Sequence, residues 1–202
     1  MSNSCDAKLA ANITYDACNP AAKGLKSIGY IVNFDDVNHS AMAEKKQGNL
    51  YSEFVLNEGK KFYKIFQAGK TPFSGANTEA QVGNYRTTWN KTLPVIILNN
   101  GADVAENIVD KLANGKFVAV VENAFAGNEG DNAFEIVGLE TGLSLTEGNA
   151  EKYNEDYGGG WSLTLVEENA PKSGLYVKYA ASGEKSAADT TRAALEALCT
   201  TE

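Results

Sequence analysis

The stretch Trp161-Ser162-Leu163-Thr164-Leu165-Val166-Glu167 places a large apolar side chain at every second position from 161 to 165. Successive side chains of a β-strand point to opposite faces, so this period of two predicts a half-buried strand with Trp161, Leu163 and Leu165 facing inward. The acidic, glycine-rich segment 153–160 comes directly before it and predicts a loop. A sheet with one buried face is therefore the first expectation for this chain.

Further stretches carry strand signals, which are β-branched and aromatic residues bounded by Asp, Asn, Gly or Pro. The runs 52–56 and 61–66 are joined across Asn57-Glu58-Gly59, a turn sequence that favours an antiparallel hairpin. The runs 116–122 and 133–138 are expected to pair with each other. The 19 glycines among 202 residues indicate many tight turns between short elements. The other predicted strands are 28–34, 86–93, 95–98 and 175–179.

One segment has clear helical periodicity. Val104, Ile108 and Leu112 are spaced at i, i+4 and i+8 within 102–113, which predicts a helix with a single apolar stripe that also includes Ala105 and Val109. The alanine-rich segment 187–199 predicts a second helix at the C-terminal end. The expected fold class is mainly β, a β-sandwich or barrel with one flanking α-helix.

The pattern predicts one domain with appended segments. An N-terminal arm occupies residues 1–23, the β-sandwich or barrel domain occupies 24–180, and a helical tail occupies 181–202. Within the domain, 42–49 has neither helical nor strand periodicity and is predicted to be a polar loop. Residues 68–85 are rich in Gly, Thr, Ser and Asn and are predicted to form a long excursion.

The charge balance limits the classes of partner. The chain carries 18 Lys and Arg against 26 Asp and Glu, a net charge of −8. This argues against a surface that neutralises nucleic-acid phosphates, although a channel along which DNA slides without sticking would also be acidic. No apolar run is long enough to span a bilayer, and the first residues lack the features of a secretory signal. Synthesis in a cytoplasm without export is expected.

The interpretation of the cysteines and of the sequons depends on that expectation. Cys5, Cys18 and Cys199 are an odd number in a chain predicted to stay unexported, which favours thiols over disulfides. The sequons at Asn12, Asn38 and Asn90 match the glycosylation pattern, but without a secretory route they are chance matches.

No pattern in the sequence dictates a reaction. The single histidine, His39, could act as a base for Cys18, but neither residue lies in a local catalytic signature. Asp35-Asp36 and the loop 127–132 contain oxygen ligands that suit calcium, but lack the EF-hand spacing, so turn chemistry is the simpler interpretation. Gly158-Gly159-Gly160 leads into a strand rather than a helix, which excludes a phosphate loop. We therefore predict no catalytic, cofactor or metal site and no enzymatic activity.

The order of segments supports a resemblance to a known class of protein. KGLKSIGYIVNFDDV is followed by EFVLNEGKKFYKIFQAGKTPFSG, the helix, FVAVVENAF, NAFEIVGLETGLSLTE and GGGWSLTLVEENAP. This layout, over roughly residues 18 to 179, resembles the small tail-tube-type structural proteins of tailed phages that infect Bacteroidetes. It rests on general layout and strand phrasing rather than on a diagnostic motif.

The resemblance implies a barrel or sandwich whose copies form rings through inter-subunit sheets and stack into a tube. The implied partners are other copies of the chain, other virion proteins and transiently passing DNA that is not specifically bound, with no membrane. The implied location is the virion, after synthesis in the host bacterial cytoplasm. Segments 42–49 and 68–85 are predicted to bridge neighbouring copies. The arm with Cys5 and Cys18 and the helical tail depart from the pattern.

Two other functions fit the same sequence. A capsid decoration or other head-associated protein would share the β layout but bind the shell rather than polymerise alone. A carbohydrate-binding or hydrolytic module would use Trp89, Trp161 and tyrosine-rich loops as stacking surfaces.

Overall fold

The computed structural model describes residues 9–13, 23–125, 127 and 130–200. The predicted arm 1–23 lies outside the described residues except for 9–13 and residue 23. The fold is mainly β with a flanking C-terminal helix, as the sequence predicts. The helices are α1 (His39–Glu44), α2 (Ala102–Val104), a π segment (Ala105–Val109), α3 (Asp110–Asn114) and α4 (Ala187–Ala197), with a 3-10 turn at Phe34–Asp36. The strands are β1 (Leu25–Asn33), β2 (Lys46–Gln47), β3 (Leu50–Tyr51), β4 (Tyr63–Phe66), β5 (Asn77–Val82), β6 (Thr87–Ile97), β7 (Phe117–Asn123), β8 (Phe134–Val137), β9 (Leu143–Asn149), β10 (Trp161–Ala170) and β11 (Leu175–Val177).

All of these strands belong to one sheet, and six of them curl into a barrel. The barrel order is β4-β1-β7-β9-β10-β6, with every pairing antiparallel. β7 and β9 meet at a single residue pair, Phe117 with Leu143, which lets the sheet bend sharply there. One apolar cluster fills the barrel interior and includes side chains from strands on both sides of that bend. Its members are Ile31, Ile65, Phe73, Leu93, Val95, Leu112, Phe117, Ala119, Val121, Val137, Leu143, Leu163 and Leu165.

A single side chain closes the barrel between β4 and β6. The amide of Gln67 donates to the carbonyl of Ile96 at 3.0 Å and accepts from the Ile96 N–H at 2.9 Å. Gln67 is 3% exposed, and its backbone N–H donates to the carbonyl of Ser27 in β1. The buried amide thus satisfies two backbone groups on the side of β6 away from β10, where none of the described strands pairs with Ile96.

The strand 161–167 forms as predicted and continues to Ala170 in β10. Leu163 and Leu165 are buried in the barrel, while Trp161 is half-buried and packs against the same cluster. Glu167, which follows in the same alternation, is also directed inward and is fully buried. The predicted pairing of 116–122 with 133–138 is confirmed by the register of β7 and β8.

The outward face of β1, β7, β8 and β11 carries a second apolar cluster. Tyr30, Val118, Phe134 and Leu175 contribute to it, and α4 covers it with Leu195. Ser186 caps α4 by accepting from the N–H of Asp189 at 3.1 Å. The helical tail predicted from the alanine-rich composition is therefore a packed part of the fold.

The predicted helix 102–113 forms, but its apolar stripe matches the prediction only in part. Val109 and Leu112 are buried, whereas Ile108 is 41% exposed. The π segment Ala105–Val109 explains the difference, because its wider turn rotates the following residues relative to an α-helical period. The prediction of a regular i, i+4, i+8 stripe was wrong at Ile108.

The prediction of a polar loop at 42–49 was wrong. Asn38 caps α1 by accepting from the N–H of Ala41 at 3.0 Å, and Met42 is buried beneath it. The strands β2 and β3 then form a small hairpin, and β3 pairs in parallel with β11.

The predicted hairpin across 57–59 was also wrong in its first strand. Residues 52–55 form no strand, and Leu56 makes only an isolated bridge with Val37. Phe54 is buried in the outer cluster, and its N–H is bound by the hydroxyl of Tyr179 at 3.0 Å. A side chain therefore supplies the bond that a neighbouring strand would have made.

Three strands differ from the prediction around the barrel. The excursion 68–85 contains β5, whose six residues pair with β6 although all are exposed. The predicted strands 86–93 and 95–98 are one strand, β6, which runs through Pro94. β9 was not predicted, because polar residues and glycines surround the buried Leu143.

Candidate functional site

The residues that the sequence suggested for chemistry are placed apart and have structural contacts. His39 stacks on Phe34 with ring centroids 4.4 Å apart, and its Nε2 lies 3.1 Å from the Phe34 carbonyl. Asp36 is held by Lys60 at 2.9 Å and Asn33 at 2.7 Å. Cys18 lies outside the described residues, so no distance between Cys18 and His39 can be given.

The glycine-rich candidates also serve the fold. The carbonyl of Gly159 accepts from Asn100 at 2.7 Å, which fixes the turn before β10. In the loop 127–132, which is described only in part, Asp131 forms an ion pair with Lys178. Among residues 9–13, 23–125, 127 and 130–200, no group of three or more His, Cys, Asp or Glu side chains is placed to hold a metal ion.

The barrel instead contains charged residues that we call the interior polar cluster: Lys91, Glu135 and Glu167. Lys91 and Glu167 are register partners on β6 and β10, and both point inward with Leu93 and Leu165. Their side chains are 1% and 0% exposed, and Lys91 Nζ lies 3.1 Å from Glu167 Oε2. The pair places a lysine and a glutamate side chain beside the apolar residues of the barrel interior.

Glu167 is satisfied mainly by backbone donors. Its carboxylate accepts from the N–H groups of Gly138 at 2.9 Å, Glu140 at 3.0 Å and Thr141 at 3.2 Å. Lys91 Nζ is close to this carboxylate, but its approach does not have the direction of a hydrogen bond, so Nζ has no hydrogen-bond acceptor within the described part of the chain. The Glu167 carboxylate therefore has hydrogen-bond donors and an opposite charge around it, whereas the Lys91 ammonium has an opposite charge nearby but no hydrogen-bond acceptor among the described residues.

Glu135 is the third member of the interior polar cluster. It lies on β8 two positions before Val137, whose side chain is in the barrel interior, so the two side chains share a face. Burial raises the pKa of the Glu135 carboxyl, and the nearby positive charge of Lys91 only partly opposes that rise. The site therefore favours the protonated carboxyl more than water does.

An open cleft at the end of the barrel is lined by two members of this cluster. It encloses about 690 Å³, and both Lys91 and Glu135 are part of its wall. Phe73 forms a buried apolar wall, with its backbone in the left-handed region at φ 53°. Lys23 and Lys70 lie exposed at its edge. We call this the barrel cleft.

A second group of charges, which we call the outer clamp, joins α4 to the sheet. Arg192 binds Glu122 of β7 through two bonds, from Nε at 3.0 Å and from Nη2 at 2.6 Å. Lys26 adds a third bond to Glu122 at 2.6 Å, and Arg192 also binds Asp189 at 2.7 Å. Burial alone would raise the pKa of Glu122, but the bonds and charges of Arg192 and Lys26 outweigh it and lower that pKa.

The β5–β6 hairpin extends from the barrel as an exposed surface. All six residues of β5 are exposed, and β5 pairs only with β6 among the described strands. At the turn, Val82 is 85% exposed and Tyr85 is wholly exposed. A strand edge with free N–H and C=O groups and apolar residues at its tip can accept another strand.

A second exposed apolar surface lies on β1 and β4. Ile28 and Phe66 are register partners, and they are 39% and 69% exposed. Tyr63, three positions before Phe66, points to the opposite face of β4 and is 54% exposed. We call Ile28 and Phe66 the β1–β4 patch.

The sequence contained signals for some of these features. Glu167 continues the inward alternation of Leu163 and Leu165, so its burial could have been predicted by extending that pattern by one step. Lys91 has the same parity as Leu93 and Val95, but Pro94 divided the strand in the prediction. Glu135 and the barrel cleft depend on pairing between distant strands, which no local pattern reports.

Comparison with protein-family models, with curated proteins and with solved structures found no match to this chain. Within the described residues, no helix has the length and apolar character needed to cross a membrane.

Proposed function

We propose that this protein is a structural subunit of a phage tail tube that assembles with copies of itself into stacked rings. The observation that carries the proposal is the β5–β6 hairpin, whose outer strand is exposed along its whole length and unpaired on its outer edge among the described strands. Exposed strand edges are usually covered, shortened or charged in monomers. β5 carries a single charged residue, Glu79, which leaves its edge open for pairing.

The two apolar surfaces support association of one copy with the next. The hairpin tip presents Val82 and Tyr85, and the β1–β4 patch presents Ile28 and Phe66. These are different surfaces of one chain, so contact between them would be head-to-tail. Head-to-tail contacts generate rings when the rotation closes and filaments when it does not.

The electrostatic character is compatible with a conduit for DNA. A net charge of −8 repels phosphates, so DNA in the lumen of a ring would not be held to the wall. The sequence resemblance to tail-tube-type proteins supports the same function. An acidic surface alone is common, so the hairpin and its exposed residues are the stronger support.

The test is the assembled state of the purified full-length chain. We expect rings or tubes with an open lumen by negative-stain electron microscopy, and a mass above that of one chain by light scattering. A double variant, Val82→Lys with Tyr85→Lys, should remain monomeric because it places two charges on the hairpin tip. Its circular dichroism and melting temperature should match those of the wild type.

A matched control separates the hairpin from general surface charge. Tyr153 is 95% exposed in the acidic loop before β10, and Tyr153→Lys should assemble like the wild type. A wild type that stays monomeric at high concentration and is absent from tails of purified virions would overturn the proposal. Assembly of the double variant at wild-type levels would overturn the assignment to the hairpin.

A further inference from the structure

We propose that the barrel cleft is a binding site for a small amphipathic organic anion, with a carboxylate at Lys91 and an apolar body against Phe73, Leu25 and Val121. This goes beyond assembly, because the barrel cleft is lined by neither Val82 nor Tyr85 of the hairpin tip. The mouth of a β-barrel is a common location for such sites.

Lys91 supplies the specific polar contact. An ammonium has three N–H donors, and the three backbone donors on Glu167 already satisfy most of that carboxylate. Lys91 Nζ is buried without a hydrogen-bond acceptor within the described residues, and the side chain lines the barrel cleft. A carboxylate entering the cleft would give this donor a charge-assisted hydrogen bond in a poorly hydrated place.

The charges around the barrel cleft favour an anion. Three lysines line it, at 23, 70 and 91, against one acidic residue, Glu135. Glu167 beside Lys91 reduces this local excess of positive charge, but the exposed Lys23 and Lys70 have no such partner among the lining residues, in a chain whose net charge is −8. Burial raises the pKa of the Glu135 carboxyl, so this carboxyl gives up its proton less readily than an exposed one and opposes a bound anion less strongly.

The remaining walls suit a short apolar body. Phe73 is 3% exposed and Val121 is 2% exposed, and both belong to the apolar interior cluster. Gly29 leaves room for the Phe73 ring, since a Cβ at this position would lie only 3.0 Å from Phe73 Cζ. Packing around the buried Phe73 ring is consistent with its left-handed backbone, a conformation uncommon for a bulky residue.

The experiment uses octanoate and octanol as probes, which share a chain and differ in charge. Binding is followed by amide chemical shifts of the full-length chain, in the Val82→Lys, Tyr85→Lys background if the wild type polymerises. We expect saturable shifts at Leu25, Thr92 and Asn123 with octanoate, and affinity for octanol at least tenfold weaker. Equal affinity for the two probes, or no saturable shift at these residues, would overturn the proposal.

Variants assign the contact to Lys91. Lys91→Met should remove the preference for octanoate over octanol, while Lys172→Met, an exposed lysine outside the barrel cleft, should keep it. Glu135→Gln should bind octanoate several-fold more tightly at pH 7, because it removes the one negative charge in the wall. This second variant provides the test if Lys91→Met does not fold.

The rim lysines provide the alternative outcome. Loss of octanoate binding in Lys70→Met together with unchanged binding in Lys91→Met would place the anion at the exposed edge and overturn the assignment. Unchanged octanoate affinity in Glu135→Gln would likewise overturn the assignment of the anion to the wall of the barrel cleft.

Discussion

The outer clamp and the interior polar cluster lie on opposite faces of the same sheet, and their buried carboxylates are bound by different kinds of group. In the outer clamp, Glu122 is bound by two cations through directed hydrogen bonds at 2.6 to 3.0 Å. In the interior polar cluster, backbone N–H groups bind Glu167, and the nearby Lys91 adds charge without a directed bond. Both carboxylates are buried, but only the first is bound mainly by side chains.

This difference distinguishes a buried charge in a structural contact from a buried charge in a candidate binding site. The outer clamp joins α4 to β7 and leaves Glu122 with strong partners, which is what a structural contact needs. The interior polar cluster leaves donor capacity on Lys91 and a half-buried Glu135 with a raised pKa beside a cleft. Unmatched groups of this kind are more typical of binding sites than of structural ion pairs.

The largest expected effect comes from removing Glu167. Glu167→Ala leaves the charge of Lys91 buried without a counter-ion and three backbone N–H groups without an acceptor, so we expect a loss of about 4 kcal/mol. Glu168→Ala, at the exposed neighbouring position, should change stability by less than about 0.5 kcal/mol. Urea unfolding followed by circular dichroism measures both. Similar stability of the two variants would contradict the structural importance of the interior pair.

A smaller loss is expected in the outer clamp. Arg192→Met leaves Glu122 with Lys26 alone, and because Arg192 is partly exposed we expect about 2 kcal/mol. The lowered pKa of Glu122 means that this contribution is complete above the pKa of an unfolded-chain carboxyl and is lost as the pH falls through the folded value. The difference between wild type and variant should therefore shrink in acid. Arg86→Met, in the exposed hairpin, is the control and should unfold like the wild type.

The smallest effect has the opposite sign. The raised pKa of Glu135 contributes stability that is complete below the unfolded-chain pKa and is lost as the pH rises through the folded value. Glu135→Gln keeps the shape without the charge, so it should melt above the wild type at pH 7 and together with it below about pH 4. Glu79→Gln on the exposed β5 should show no such difference. A lower melting temperature for Glu135→Gln at pH 7 would mean that the ionised carboxylate stabilises the fold.

Local patterns predicted the elements whose periodicity matched their burial. The alternation at 161–165 placed Leu163 and Leu165 correctly, and the alanine-rich tail formed α4. The misses occurred where tertiary contacts replaced local signals. Tyr179 binds the backbone at Phe54 in place of a strand partner, and β5 exists because β6 lies beside it rather than because of its own apolar residues.

The barrel cleft and the exposed edge of β5 were harder to predict for the same reason. Lys91 and Glu135 are far apart in sequence, and the fold brings them to one wall. The composition of 68–85 indicated a long loop, yet the assembly proposed above depends on the exposed edge of β5 within it. Sequence patterns report which face of an element is apolar, but they do not report which distant charges share a cavity.

The closure of the barrel at Gln67 has a consequence for its motions. Backbone pairing joins every other pair of neighbouring barrel strands, although β7 and β9 share only one residue pair, whereas β4 and β6 are joined by one side-chain amide. Rotation of that side chain would free the Ile96 N–H without breaking any strand pairing. The Ile96 amide should therefore exchange its hydrogen with solvent through a low-energy local opening, ahead of the amides that bond β6 to β10. The barrel would open at this line first, close to the strand that carries Tyr63 and Phe66.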